Sequence, residues 1–115
     1  MHLFVYGTLK RGQPRHRFLA GQTFVAHAVT RPLYRMFNVG EYPALVRHAE
    51  GRSIEGEVWE VDEACLRALD RVEGCDFGLY ARLSVELSPP FEVLPAETYL
   101  YQLPVEGLAD CGSRW

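Results

Sequence analysis

Two stretches of this 115-residue chain combine residue types that do chemistry. The first ends at Glu73, in VDEACLRALDRVEG, Val61 to Gly74. On a helix, Leu66, Leu69 or Asp70, and Glu73 recur at i, i+3 or i+4, and i+7, so Glu73 shares the side of two leucines that should face the core. It would also stand in the last turn, where the helix dipole disfavours an anion. Partial burial acts in the same direction. Both effects raise a Glu carboxyl above its ordinary value of about 4.3, toward the roughly 6–7 that suits a general base. The alternative is a helix that ends at Val72 and leaves Glu73 in solvent.

The second stretch is GTLKRG, Gly7 to Gly12, where the apolar run Leu3–Tyr6 stops abruptly. Where a strand ends and the chain bends, successive N–H groups lose their ladder partners and can converge on one acceptor. Gly7 has no Cβ, so a ligand can approach the backbone there, and Thr8 adds a hydroxyl. A carboxylate or an amide carbonyl is the natural guest; the alternative is an ordinary turn. The two glycines have the spacing of half a P-loop, but Gln13 and Pro14 stand where that loop needs Lys and Ser or Thr. Nucleotide binding through this loop is therefore not expected. Lys10, Arg11, Arg15 and Arg17 surround His16. They form a solvated face, a lure for an acidic substrate, or a contact for a phosphate backbone.

The remaining reactive residues are dispersed. His2, His16, His27 and His48 are scattered, and no glycine-flanked Ser forms a nucleophile elbow. Cys65, Cys75 and Cys111 are odd in number, with no CxxC pair and no zinc-ligand spacing. Reduced thiols and no metal are expected. Glu55, Glu57 and Glu60 lie along a strand beside Val58 and Trp59, mostly in water.

The elements that must position Glu73 and the turn follow from pattern. Leu3–Tyr6, Thr23–Val29, Leu33–Val39, Ile54–Val61, Tyr80–Leu87 and Glu97–Leu103 read as strands. A loop or short helix spans Gln13–Ala20, and Ala44–Val46 is a short apolar piece. One clear helix covers about 62–73, with Asp62 as N-cap and Gly74 as stop. In Tyr80–Leu87 the apolar Ala81, Leu83, Val85 and Leu87 alternate with Tyr80, Arg82, Ser84 and Glu86. Ser88–Ala96 holds three prolines and reads as a loop, and the terminal Trp115 should pack back on the domain. The sum is a single α+β domain over 1–115, a small curled mixed sheet or barrel around a cavity.

Composition narrows the function classes. Hydrophobic residues at 48% suffice for one core, and 12 basic against 15 acidic side chains give a net charge of −3. Nucleic-acid binders usually carry a basic excess. No apolar run reaches the ~18–20 residues of a membrane span, and the apolar start lacks a basic segment before it. A cytoplasmic protein without membrane or nucleic-acid partners is expected; its oligomeric state is not readable.

Taken together, FVYGTLKRGQ, the YPAL of Tyr42–Leu45, GEVWEVD, the LDRVEG of Leu69–Gly74 and the later Tyr80-Ala81-Arg82 resemble the γ-glutamylcyclotransferase-like family. The nearest branch is that of the small γ-glutamylamine cyclotransferases and their bacterial YtfP-type relatives. The likeness runs in order from about Phe4 to Arg82 and more weakly to Trp115. It implies that Tyr6, Gly7, Thr8 and Leu9 hold a glutamyl group, largely through backbone groups, and that Glu73 matches the family's catalytic glutamate. Tyr80 and Arg82 are then expected in the wall of the cavity. The implied reaction releases 5-oxoproline and a free amine from a small γ-glutamyl substrate, with no cofactor. A binding module that uses the same cavity without turnover is the alternative.

Overall fold

A computed structural model describes residues 1–115. In chain order the elements are β1 (His2–Val5), a 3-10 turn (His16–Leu19), β2 (Thr23–Val29), β3 (Tyr34–Asn38), β4 (Pro43–Arg47), β5 (Glu55–Glu60), α1 (Glu63–Val72), a second 3-10 turn (Cys75–Phe77), β6 (Tyr80–Val85) and β7 (Ala96–Tyr101). Five strands form one mixed sheet in the order β2-β5-β1-β7-β6, and β3 and β4 pair separately. Strand β1 lies in the middle, antiparallel to β5 and parallel to β7.

The position of β1 follows from its unbroken apolar run, which suits a strand covered on both faces rather than on one. Leu3 and Val5 join a cluster with Leu66 and Leu69 of α1. Phe4 and Tyr6 point the other way, into a cluster with Met36 and Leu45 of the β3–β4 hairpin. The turn that follows β1 therefore emerges between the helix and the hairpin, and that placement makes the site.

Helix α1 has the expected limits. The Asp62 side chain accepts the Cys65 N–H at 2.7 Å, which satisfies one of the orphan donors of the first turn. Gly74 takes a φ of +68°, the left-handed conformation that ends helices cheaply only at glycine. Leu69 is fully buried, a burial worth about 1.5–3 kcal/mol. It fixes the helix against the sheet one turn before Glu73.

Three expectations need adjustment. Ala44–Val46 is not an isolated piece but the middle of β4, which pairs with β3 from Asn38–Pro43 to Tyr34–Arg47. Pro43 is its first residue, a position where a strand tolerates a missing N–H. The last strand runs from Ala96 to Tyr101, not from Glu97 to Leu103. In β6 the two rows alternate, but their burial is mixed: Tyr80 is 3% exposed and Leu83 is 47% exposed. Tyr80 packs in the cluster that α1 closes, while Leu83 stands uncovered on an edge strand; Val85, in the row of Leu83, is buried in the other cluster.

The tail returns along the hairpin. Asn38 donates its N–H to Ala109 O, Cys111 to Met36 O and Glu55 to Ser113 O, each at 2.8 Å. Trp115 then packs, half-buried, against the second cluster, as expected.

Candidate active site

A small, half-open cleft lies where the turn after β1, the start of β4, and the join between α1 and β6 meet. Tyr6, Gly7, Thr8 and Leu9 line it from the turn, Tyr42 and Pro43 from the hairpin, and Tyr80 and Tyr99 from β6 and β7. Glu73 is the one carboxyl in the lining.

Glu73 occupies the C-cap of α1, and its N–H is held by Leu69 O at 2.8 Å. Its side chain is half-buried and accepts no hydrogen bond from the chain. Burial pushes the acid up to about 7, and the positive charge of Arg15 acts against that rise. A carboxyl poised there takes and returns protons readily near neutral pH.

The turn has a marked polarity. The Gly7 carbonyl accepts Lys10 N–H at 3.1 Å and the Thr8 carbonyl accepts Arg15 N–H at 2.9 Å. The Leu9 carbonyl accepts His16 Nδ1–H at 3.0 Å. The N–H groups of the same three residues donate to no acceptor in the chain. Buried or half-buried backbone donors are nearly always paired, so three successive free ones in a cavity wall form a place for an anion or a carbonyl oxygen.

Gly7 is required by packing. A Cβ there would come within 2.5 Å of Pro43 Cγ. Pro43 cannot retreat easily, because its carbonyl accepts the Tyr80 hydroxyl at 2.7 Å. The glycine thus lets the hairpin close on the turn.

The phenols of the lining are committed. Tyr6 donates to Tyr99 O at 2.6 Å, and Tyr99 donates to Asp70 Oδ1 at 2.8 Å. Burial holds the Tyr6, Tyr80 and Tyr99 hydroxyls well above the ordinary phenol value, so they remain neutral donors. Arg82 is not in the lining. Its Nε donates to Asp70 Oδ1 at 2.9 Å and its Nη1 to Glu97 Oε1, so it ties α1 to β7 behind Tyr99. The structure therefore gathers Tyr6, Gly7, Thr8, Leu9, Tyr80 and Glu73 around one cavity and sets Arg82 behind its wall.

Tyr42, Tyr99 and Asp70 carry parts that the sequence did not assign. Tyr42 was visible only inside YPAL, and Asp70 only as an alternative to Leu69 in the helical register. No sequence signal marked Tyr99. The basic cluster is divided among partners. Lys10 donates to Trp115 O at 3.2 Å, Arg17 donates to Pro14 O at 2.6 Å, and the Arg15 guanidinium lies 5.3 Å from the Tyr42 ring centroid.

Arg11 turns to Glu57, which corrects the expectation that Glu57 sits in water: it is 5% exposed. Trp59 Nε1 donates to it at 3.0 Å, the Arg11 N–H at 3.1 Å and Arg11 Nε at 3.3 Å. Glu57 and Trp59 are two apart on β5 and so share a face; the tryptophan was the available signal. No group of three or more His, Cys, Asp and Glu side chains comes together to hold a metal ion, and the three thiols are free.

Residues 3–115 match the family described as gamma-glutamyl cyclotransferase, AIG2-like. A Homo sapiens protein named gamma-glutamylaminecyclotransferase is 44% identical over 110 residues, which cover 84% of this chain and 71% of that protein. The chain spans 62% of the length of the Rattus norvegicus protein of the same name, at 39% identity over 94 residues covering 75% of this chain. The crystal structure of an AIG2-like protein from Mus musculus superposes with a TM-score of 0.86 at 29% identity, covering 99% of this chain and 87% of that one. The solution structure of the ytfP protein of Escherichia coli superposes with a TM-score of 0.73 at 31% identity, covering 98% and 93%.

Proposed function

Because this chain belongs to the gamma-glutamyl cyclotransferase, AIG2-like family, we propose that it cyclises γ-glutamyl amines or γ-glutamyl amino acids to 5-oxoproline, with Glu73 as general acid and base. One observation carries this reading: an unpaired, half-buried carboxyl shares a small cavity with three successive backbone donors that have no acceptor.

The reaction needs its nucleophile and its electrophile in one molecule. The α-amine nitrogen attacks the γ-carbonyl carbon, a C–N bond forms to close the five-membered lactam, and the C–N bond to the departing amine breaks. Holding the two ends together can supply about 7–11 kcal/mol in favourable cases. A narrow cavity walled by Tyr6, Tyr80 and Tyr99 suits that task.

Protons are the remaining difficulty. The substrate's α-amine stands beside its own free α-carboxylate, which holds it above the roughly 7.7–8.0 of a chain terminus, so it is protonated at neutral pH. A carboxylate whose own value is about 7 accepts that proton at less energetic cost than an ordinary Glu. The attacking nitrogen sheds two protons, one before attack and one as the ring closes; the departing nitrogen takes up two, one from Glu73 as its bond to carbon breaks and one as the free amine is released, so Glu73 ends each cycle as it began. The free N–H groups of Gly7, Thr8 and Leu9 receive either the oxyanion that develops on the carbonyl or the α-carboxylate. Phenols that are fixed as donors elsewhere leave Glu73 as the proton carrier.

Glu73→Gln keeps the size and removes the base. Release of 5-oxoproline from a panel of γ-glutamyl compounds should fall about 10²–10⁴-fold in that variant. Turnover at the parental rate would refute the assignment, and binding without turnover by the parent protein would leave the cavity as a binding module.

A further inference from the structure

The cavity is lined by one charged side chain, but a second charge stands beside it. Arg15 is not among the lining residues. Its backbone N–H is fixed to Thr8 O at 2.9 Å, and its guanidinium carbon lies 5.3 Å from the ring centroid of Tyr42, which does line the cavity. Stacking on an aromatic face holds a guanidinium in place without neutralising it. Arg15 also joins no ion pair, unlike Arg11, Arg35 and Arg82, each of which faces a carboxylate. It is half-buried, and its field is felt at Glu73 and at Tyr80. An unpaired cation is thus fixed beside the lining, against Tyr42 and close enough for the reacting carboxyl to feel its charge.

We propose that Arg15 selects the departing amine, favouring γ-glutamyl compounds whose amine carries a carboxylate and disfavouring those whose amine carries a second ammonium group. This inference rests on the cyclotransferase reading above. The glutamyl end must reach Glu73 and the free amides of Gly7–Leu9, so it fills the cavity. The departing amine then projects outward past Tyr42, where Arg15 stands. The glutamyl α-carboxylate is common to every substrate, so whatever it contributes near Arg15 is the same for all and gives Arg15 nothing to discriminate. The tail of the departing amine differs between substrates and passes beside the guanidinium.

Three substrates of similar size isolate the effect: γ-glutamylglycine, γ-glutamylethylamine and γ-glutamylethylenediamine, whose tails end in a carboxylate, a methyl group and an ammonium group. A screened contact of this kind is worth up to about fivefold each way, so the swing from attraction to repulsion is up to about 25-fold in kcat/KM. The parent should rank glycine above ethylamine above ethylenediamine. Arg15→Gln should bring all three within about twofold, mainly through KM, and Arg15→Lys should restore part of the ranking. Each ratio is taken within one protein, so a variant that folds poorly still reports it. Equal rates in the parent, or an unchanged ranking in Arg15→Gln, overturn the inference while 5-oxoproline release upholds the reaction.

A calorimetric titration separates the two ideas further. The matching glutaryl amides lack the α-amine and cannot cyclise. Preference for the carboxylate-tailed amide in the parent, lost in Arg15→Gln, supports selection by Arg15 even if no substrate turns over. Equal affinities for the three amides overturn it, and no binding by any of them overturns both the inference and the reading beneath it.

Discussion

Two half-hidden glutamates lie on either side of the turn after β1, and they have opposite surroundings. Glu57 is almost fully buried, yet an indole N–H, a backbone N–H and a guanidinium N–H meet its oxygens. Burial alone would raise its carboxyl; those three donors outweigh burial and hold it below the ordinary value. Glu73 keeps more solvent-exposed surface but is set among apolar and aromatic side chains and meets no donor at all, so desolvation prevails and the acid rises to about 7. The same chain segment serves both. Arg11 gives its N–H to Glu57, while Gly7, Thr8 and Leu9 keep theirs free on the cavity side. Low solvent exposure by itself therefore does not mark the reactive carboxyl. The supply of donors does.

The largest effect expected from this contrast is on the pH dependence of turnover. If Glu73 must be ionised to act, kcat/KM should rise about tenfold per unit from pH 5 and level off near 7. That makes a change of about 100-fold over the rising limb. Glu57→Gln should leave the midpoint where it is. An initial-rate profile of 5-oxoproline release measures this, and a midpoint near the ordinary Glu value of about 4.3 would erase the distinction between the two acids.

A smaller effect separates them by stability. Glu57→Gln leaves one oxygen for Trp59 and the Arg11 N–H but turns an amide nitrogen toward the Arg11 guanidinium. The Arg11 guanidinium is nearly half exposed and can turn to water, so the loss should cost only about 1 kcal/mol, read as a lower midpoint in urea. The folded acid lies below its unfolded value, so the stabilisation is present above the ordinary Glu range and is lost as pH falls through the folded value. The variant should therefore lose its deficit in acid. A deficit that persists unchanged at low pH would point to packing, not charge, as the role of Glu57.

The helix and its ends were legible because local chemistry decides them. Asp62 caps, Gly74 stops, and the Leu66–Leu69 side buries, with no help from distant residues. The Glu73 environment followed from the same register. The extent of β2 was also legible, as a run of β-formers between turn residues. What sequence misplaced depends on partners far along the chain. Glu57 is buried because Arg11, 46 residues away, covers it. Arg82 lies behind the wall because Asp70 and Glu97 draw it there from two other elements. Tyr99 enters the cavity only because β7 pairs in parallel with β1 across most of the chain. Gly7 signalled an open turn, but its close neighbour Pro43 is a contact no local pattern announces.

The stability effect at Glu73 is no larger than that at Glu57 and is the most discriminating, because its sign reverses between the two acids. Glu73 has a folded value of about 7, above the roughly 4.5 of the unfolded chain. Below the unfolded value both states are protonated and the acid costs nothing. As pH rises toward the folded value the unfolded state ionises first, so the protein loses stability, and above about 7 the loss is constant. A shift of this size corresponds to at most about 3 kcal/mol. Glu73→Gln removes the titration but keeps a polar amide in the same donor-poor cavity, which returns part of the gain. The variant should therefore be more stable than the parent by about 1 kcal/mol at pH 8 and no more stable at pH 4, by urea unfolding at both pH values. Glu57→Gln should show the reverse ordering of pH, worst at 8 and mildest at 4. A Glu73→Gln protein that is less stable at pH 8 would mean that this carboxylate has partners in solution, and the contrast between the two sites would fail.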